Sequence, residues 1–173
     1  MDEDTATPQM LDRWVTEYQP IVFKAAWLIL RDTDSAEDVA QETFVKAYNA
    51  TNKLKPGDDI RGWPYRIATN TALNVLRSRR RELVAMAKVG VAPTRTADAY
   101  EALDTRSVIA GVLDEMPDRL RVVLVLRYFL DLTERDIAKT LKIRPGTVKS
   151  RLHEARHWLA EDITVADAAG QTG

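Results

Sequence analysis

The chain is 173 residues long, 45% hydrophobic and 29% charged, with no cysteine and a formal net charge of −1. Such a composition suits one ordinary globular domain or two small ones, and it excludes disulfides, thiolate zinc sites and cysteine nucleophiles. The longest apolar run, Ala25 to Leu30, is far too short to span a bilayer, and the opening MDEDTATPQ lacks the basic start and apolar core of a signal peptide. A soluble, cytoplasmic protein without membrane insertion is expected.

The near-neutral total hides a pattern. Residues 1–60 carry 12 acidic and 6 basic side chains. Residues 61–88 carry 7 basic side chains against Glu82, and residues 142–156 carry 5 against Glu154. Two cationic zones in an otherwise acidic chain suggest two contacts with a polyanion.

Apolar spacing predicts helix almost throughout and no period-two strand. From about Gln9 to Arg31, Leu11, Trp14, Val15, Tyr18, Ile21, Val22, Ala25, Leu28 and Ile29 form one long apolar face. Pro20 is expected to kink or divide that helix. Asp32-Thr33-Asp34 offers a stop and a new N-cap. A second helix, about Ser35 to Ala50, puts Ala36, Val39, Ala40, Thr43 and Ala47 on one side and Glu37, Asp38, Gln41 and Glu42 on the other. Residues 51–59 read as a turn-rich loop around Pro56-Gly57. A third helix is predicted from near Gly62 to about Arg81, with Pro64 in its first turn.

The pattern dissolves after Met86, so residues 87–104 read as a linker between two small helical domains, 1–86 and 105–160. In the second domain, Val112 and Leu113 belong to one helix, and Pro117 restarts another containing Leu120, Val123, Leu124 and Tyr128. Two helices joined by a tight turn then follow. Thr133 is the expected N-cap of the first, with Asp136 in capping-box position and Leu132 and Ile137 as a hydrophobic staple. The second is expected to start at Pro145 and to bury Val148, Leu152, Ala155 and Leu159. Residues 161–173 read as a frayed tail. The fold class is all-α, in two small domains joined by a linker.

A helix, a tight turn and a second helix with a basic face is how many proteins read a DNA major groove; an ordinary helical hairpin with solvated charges is the bland alternative. In the third predicted helix, Arg66, Asn70, Asn74, Arg77 and Arg81 form one stripe opposite Ala68, Ala72, Val75 and Leu76. Arginine suits phosphates, asparagine amides suit base edges, and the nearby Trp63 and Tyr65 suit stacking on an unpaired base. Against this stands simple packing of Trp63 on the first helix with solvated arginines. The acidic stripe of the second helix admits a solvated face, a protein-docking face, a metal site or paired-carboxylate catalysis. No histidine lies nearby for a metal, and no nucleophile or phosphate loop accompanies the carboxylates. His153 and His157, four residues apart, lack further ligands, so phosphate or base contact is favoured over a metal.

Together these segments closely resemble the extracytoplasmic-function (ECF) sigma factors of bacterial RNA polymerase, in the sigma-70 family. DSAEDVAQETFVKAY resembles the family's polymerase-docking helix, and DIRGWPYRIATNTALNVLRSRRR resembles its promoter-melting helix in sigma domain two. The stretch from Leu113 to Leu159 resembles sigma domain four with its helix-turn-helix. The resemblance implies a sigma factor conferring promoter recognition and DNA opening; an autonomous helix-turn-helix regulator is the competing reading. Glu37, Asp38, Gln41 and Glu42 would dock core RNA polymerase. Trp63, Tyr65, Arg66, Asn70, Asn74, Arg77, Arg80 and Arg81, with loop residues before them, would engage and open the −10 region. Arg144, Thr147, Lys149, Ser150, Arg151, His153 and Arg156 would contact the −35 region. The partners implied are core RNA polymerase, promoter DNA and an anti-sigma factor. No enzymatic chemistry, cofactor or metal is implied. The chain departs from the family pattern at Trp63-Pro64 (usually Trp-Leu), Lys142 (usually Gly) and Glu154 (often Arg).

Overall fold

A computed structural model describes the backbone of residues 8–50, 62–90 and 108–170 and the side chains of residues 15–50, 62–90 and 111–161. The expected loop 51–59 and most of the expected linker, 91–104, lie outside the described residues. The fold divides into two units, Met1–Thr96 and Ala97–Gly173. Every regular element among the described residues is helical.

The first unit packs α1 (Pro8–Leu30), α2 (Thr33–Ala50) and α3 (Trp63–Lys88) pairwise against one another. Helical periodicity dictates which residues meet. Val22, Ala25, Trp27 and Ile29 of α1, Ala36, Val39 and Ala47 of α2, and Ala68 and Ala72 of α3 are all buried. The many alanines let helix axes approach closely. Pro20 does not divide α1, which is continuous through it. α1 stops because Arg31 turns left-handed, at φ 53°. Arg31 is itself buried, its guanidinium 3.7 Å from the Trp27 ring centroid, where the π face offsets part of the charge's desolvation. Asp32 then caps α2, its carboxylate accepting the Ser35 N–H at 2.7 Å. Pro64 lies in the first turn of α3, as expected, but the helix outlasts Arg81 by two turns and ends at Lys88. Its last turns are exposed and lack the small buried residues that mark its packed portion.

In the second unit, α4 (Val108–Glu115) leads through Pro117 to α5 (Asp118–Leu124), which widens into a π-helical turn over Val125–Phe129. The widening is seen in the Leu130 N–H donating to the Val125 carbonyl at 3.1 Å, five residues back. Apolar spacing carries no trace of it. Arg121 is almost fully buried. Its guanidinium donates to the Leu113 and Met116 carbonyls at 3.1 and 2.9 Å and pairs with Asp118. One cation thus satisfies the open carbonyls at the end of α4 and ties them to α5.

α6 (Glu134–Leu141) and α7 (Pro145–Gly170) complete the unit, with α7 packed on α4, α5 and α6. The Thr133 hydroxyl accepts the Asp136 N–H at 3.2 Å and donates to the Asp136 carboxylate at 2.6 Å. The shorter Asp thus meets the threonine side chain, whereas the Glu of a capping box reaches back to the cap N–H. Ile137, Val148, Leu152 and Ala155 are buried as expected, whereas Leu159, expected in the same stripe, is only half-buried. As backbone, α7 continues to Gly170, so residues 161–170, expected as a frayed tail, are helical.

Candidate nucleic-acid interface

The turn between α6 and α7 is the most tightly specified part of the candidate interface. Lys142 is left-handed (φ 55°, ψ 44°). Around it the Ile143 N–H donates to the Ala138 carbonyl at 3.0 Å and the Lys142 N–H to Lys139 at 3.3 Å. These paired bonds form a Schellman closure, usually built on glycine. Three residues, Lys142 to Arg144, therefore suffice to re-aim the chain into α7. Arg144, Lys149, Ser150, His153 and Arg156 are exposed, whereas Thr147 and Arg151 are half-buried. Arg156 donates to the Tyr128 hydroxyl at 3.3 Å, which steadies its guanidinium beside α7. His157 pairs with Glu161 at 3.1 Å along the helix, and no group of three potential metal ligands occurs among the described residues.

On α3 Arg66, Asn70, Asn74, Arg77, Arg80 and Arg81 are exposed, opposite buried Ala68, Thr69, Thr71, Ala72 and Leu73. The Arg77 guanidinium donates to the Asn74 side-chain oxygen at 2.9 Å, so these two neighbours on the stripe are held in register. Arg79, one of the expected cationic cluster, is diverted. It donates to the Leu30 carbonyl at 3.2 Å and the Ser35 hydroxyl at 2.6 Å, and pairs with Asp32 at 3.1 Å. Burial raises the Asp32 carboxyl, but the Ser35 N–H, the Ser35 side chain and the Arg79 guanidinium outweigh it and hold the group below its ordinary value. Arg79 thus closes the bend between α1 and α2 onto α3.

Trp63 and Tyr65 are half-buried against the cluster of Tyr18, Val22, Ala40, Ala47 and Ala68. Tyr65 meets Tyr18 edge-on, with ring centroids 5.7 Å apart. Burial pushes the Tyr65 phenol up, with Tyr18 and Glu17 adding to it, so the ring stays neutral. These two aromatics therefore combine packing with a partly open face.

Glu37, Asp38, Gln41 and Glu42 are all exposed along α2. Glu42 is paired with Lys46 at 2.6 Å, and Lys46 also donates to Thr71 at 3.2 Å. Two residues that the sequence reading passed over extend this stripe. Val45 and Tyr48, each 59% exposed, stand four and seven residues beyond Gln41 on the same face. They add exposed apolar area beside the carboxylates of this face. Their absence from the buried set of α2 was the available signal.

The sigma-70 region 2 family model matches residues 14–82, and the sigma-70 region 4 model matches residues 106–159. The chain is 30% identical over 165 residues to the ECF RNA polymerase sigma-E factor of Escherichia coli, covering 82% of this chain and 80% of that one. The chain belongs to the ECF sigma factors. The ECF RNA polymerase sigma factor SigW of Bacillus subtilis is 29% identical over 161 residues, 84% of each chain. Among solved structures, the sigma factor RpoE of Bartonella quintana, in complex with the anti-sigma factor NepR, superposes with a TM-score of 0.69 at 25% identity, covering 89% of this chain and 96% of that one. The family order, region 2 before region 4, is thus the order in which this ECF sigma factor presents its two cationic helix faces. No helix among the described residues is long and apolar enough to cross a membrane.

Proposed function

We propose that this chain is a dissociable sigma subunit that lends promoter specificity and strand opening to core RNA polymerase. The observation that carries the reading is the pairing of two cationic helix faces, on α3 and α7, in separate units of the sigma region 2 and region 4 type. In this reading residues 1–86 form the polymerase-docking and −10 domain, 87–104 a linker, and 105–160 the −35 domain. Asp38 and Gln41, with Glu37, Glu42, Val45 and Tyr48, dock polymerase. Arg66, Asn70, Asn74, Arg77, Arg80 and Arg81 hold the −10 strand, while Trp63 and Tyr65 offer their open faces to an extruded base. Arg144, Lys149, Ser150, Arg151, His153 and Arg156 straddle the −35 groove, with Thr147 beside them. The chain performs no covalent step of its own and acts in the cytoplasm, where polymerase is. A proteinaceous inhibitor of the anti-sigma type is part of the proposal, supported by the relative solved in such a complex.

Run-off transcription with reconstituted core polymerase, followed by start-site mapping, tests the proposal. Transcripts that need both core and this chain are expected, with weak duplex binding by the chain alone. Tight, sequence-specific duplex binding without core would instead identify an autonomous regulator.

A further inference from the structure

Glu154 is the single acidic side chain between Lys142 and Arg156, and it stands on the exposed side of α7. Helical spacing places it one turn beyond Ser150 and Arg151 and adjacent to His153. A bare carboxylate there would repel the same phosphates that the neighbouring cations attract. It is not bare. Arg119, from the first turn of α5, grips it with both terminal nitrogens, Nη1 to Oε2 at 3.0 Å and Nη2 to Oε1 at 2.6 Å. Such fork-to-fork pairing holds a guanidinium in one orientation. The partners are 35 residues apart, and their side chains remain 54% and 47% exposed. An ion pair that open contributes only modestly to folding, even in bidentate geometry. The packing of α5 on α7 already rests on buried Leu120, Val123, Leu152 and Ala155.

We propose that Arg119 is a charge-masking residue for promoter recognition: its guanidinium neutralises Glu154 so that α7 presents an uninterrupted cationic face to the upstream phosphates. The proposal rests on the −35 reading of α7 given above. Arg151, one turn back, is the cation beside Glu154, Arg144 stands just before α7, and Lys149 and Arg156 lie about 140–160° round the helix on the other flank of its exposed surface. With the carboxylate neutralised at hydrogen-bond distance, its field falls away well within a Debye length, about 8 Å in physiological salt. Arg119 thereby acts on DNA through another residue, from a helix outside the helix-turn-helix.

The test uses holoenzyme, the full chain with core polymerase, on a promoter duplex recovered by start-site mapping. Binding is measured across a salt series for Arg119→Gln, Glu154→Gln, the double variant and Lys149→Ala, with a thermal melt of each protein. Arg119→Gln should weaken binding by roughly three- to tenfold at low salt, and less as salt rises. Glu154→Gln should match or exceed wild type, and the double variant should return to within about twofold of wild type. An equal loss from Arg119→Gln with Glu154 already neutral would make Arg119 a direct phosphate ligand and overturn masking. So would a loss from Glu154→Gln as large as that from Arg119→Gln, which would mark the pair as a packing strut. If Lys149→Ala weakens binding while Arg119→Gln does not, masking falls and the −35 reading stands. If neither changes binding or its salt slope, the −35 reading falls and masking with it.

Discussion

Arg79 and Arg121 are the same residue type as the proposed DNA ligands, yet each is engaged inside the protein. Arg121 satisfies two helix-end carbonyls that would otherwise be left without donors in a buried place, an omission costing about 1–3 kcal/mol for each group. Arg79 bonds Leu30, Ser35 and Asp32 at once. Arg79→Gln should therefore destabilise the chain by about 1–2 kcal/mol in urea unfolding at neutral pH, part of the charge-assisted bonding being discounted for its partial exposure. The effect has a pH signature. The Asp32 carboxyl is lowered in the folded protein, so folding favours its ionised form. Its stabilisation is complete above the unfolded carboxylate value, about 3.9, and is lost as pH falls through the lower folded value. The gap between wild type and Arg79→Gln should narrow in acid as Asp32 protonates, leaving only the bonds to Leu30 and Ser35. A gap of the same size at about pH 3 as at neutrality would show that the Asp32 pair contributes nothing.

At the scale of the element, the turn into α7 carries a local strain that the sequence already hints at. A left-handed lysine is disfavoured by roughly 1 kcal/mol relative to a residue without Cβ, and glycine's greater chain entropy returns part of that. Lys142→Gly should thus raise stability by about 0.5–1 kcal/mol in chemical unfolding. A loss of stability would mean that the Lys142 side chain makes a favourable contact outweighing its backbone strain. The same turn explains why α7 begins where it does: Pro145 needs no N–H partner in a first turn, and the Schellman bonds have already closed α6. The unexpected element, the π-helical turn at Val125–Phe129, places Tyr128 where its hydroxyl meets Arg156. Apolar periodicity cannot announce a widening of one turn, because the buried spacing before and after it stays helical.

Over the whole molecule, two compact units carry separate surfaces. The α2 stripe offers the sharpest test of this division. Asp38→Arg with Glu42→Arg should abolish co-purification with core polymerase while the melting of the chain shifts little, since both side chains are exposed. Glu42 already shares its charge with Lys46, so Asp38 should account for most of the loss. Normal co-purification of the double variant would reduce the stripe to a solvated face.

The all-α class, the pairing of α6 with α7 and their capping residues were legible in the sequence. So were the exposed stripes of α2, α3 and α7. All depend on spacing along one chain, and helical geometry converts such spacing directly into a face or a cap. The unbroken α1 was not legible, because tertiary packing of its long apolar face outweighs the local tendency of Pro20 to break it. Nor could spacing sort the charged residues by partner. Arg79 with Asp32, Arg121 with the α4 carbonyls and Arg119 with Glu154 are recognised only in three dimensions. The sequence by itself determined the helices, their buried faces and the sign of charge each surface presents. Only folding sorted the cations the protein uses internally from the rest, because a guanidinium's role is set by the carboxylate or carbonyl brought within about 3 Å of it.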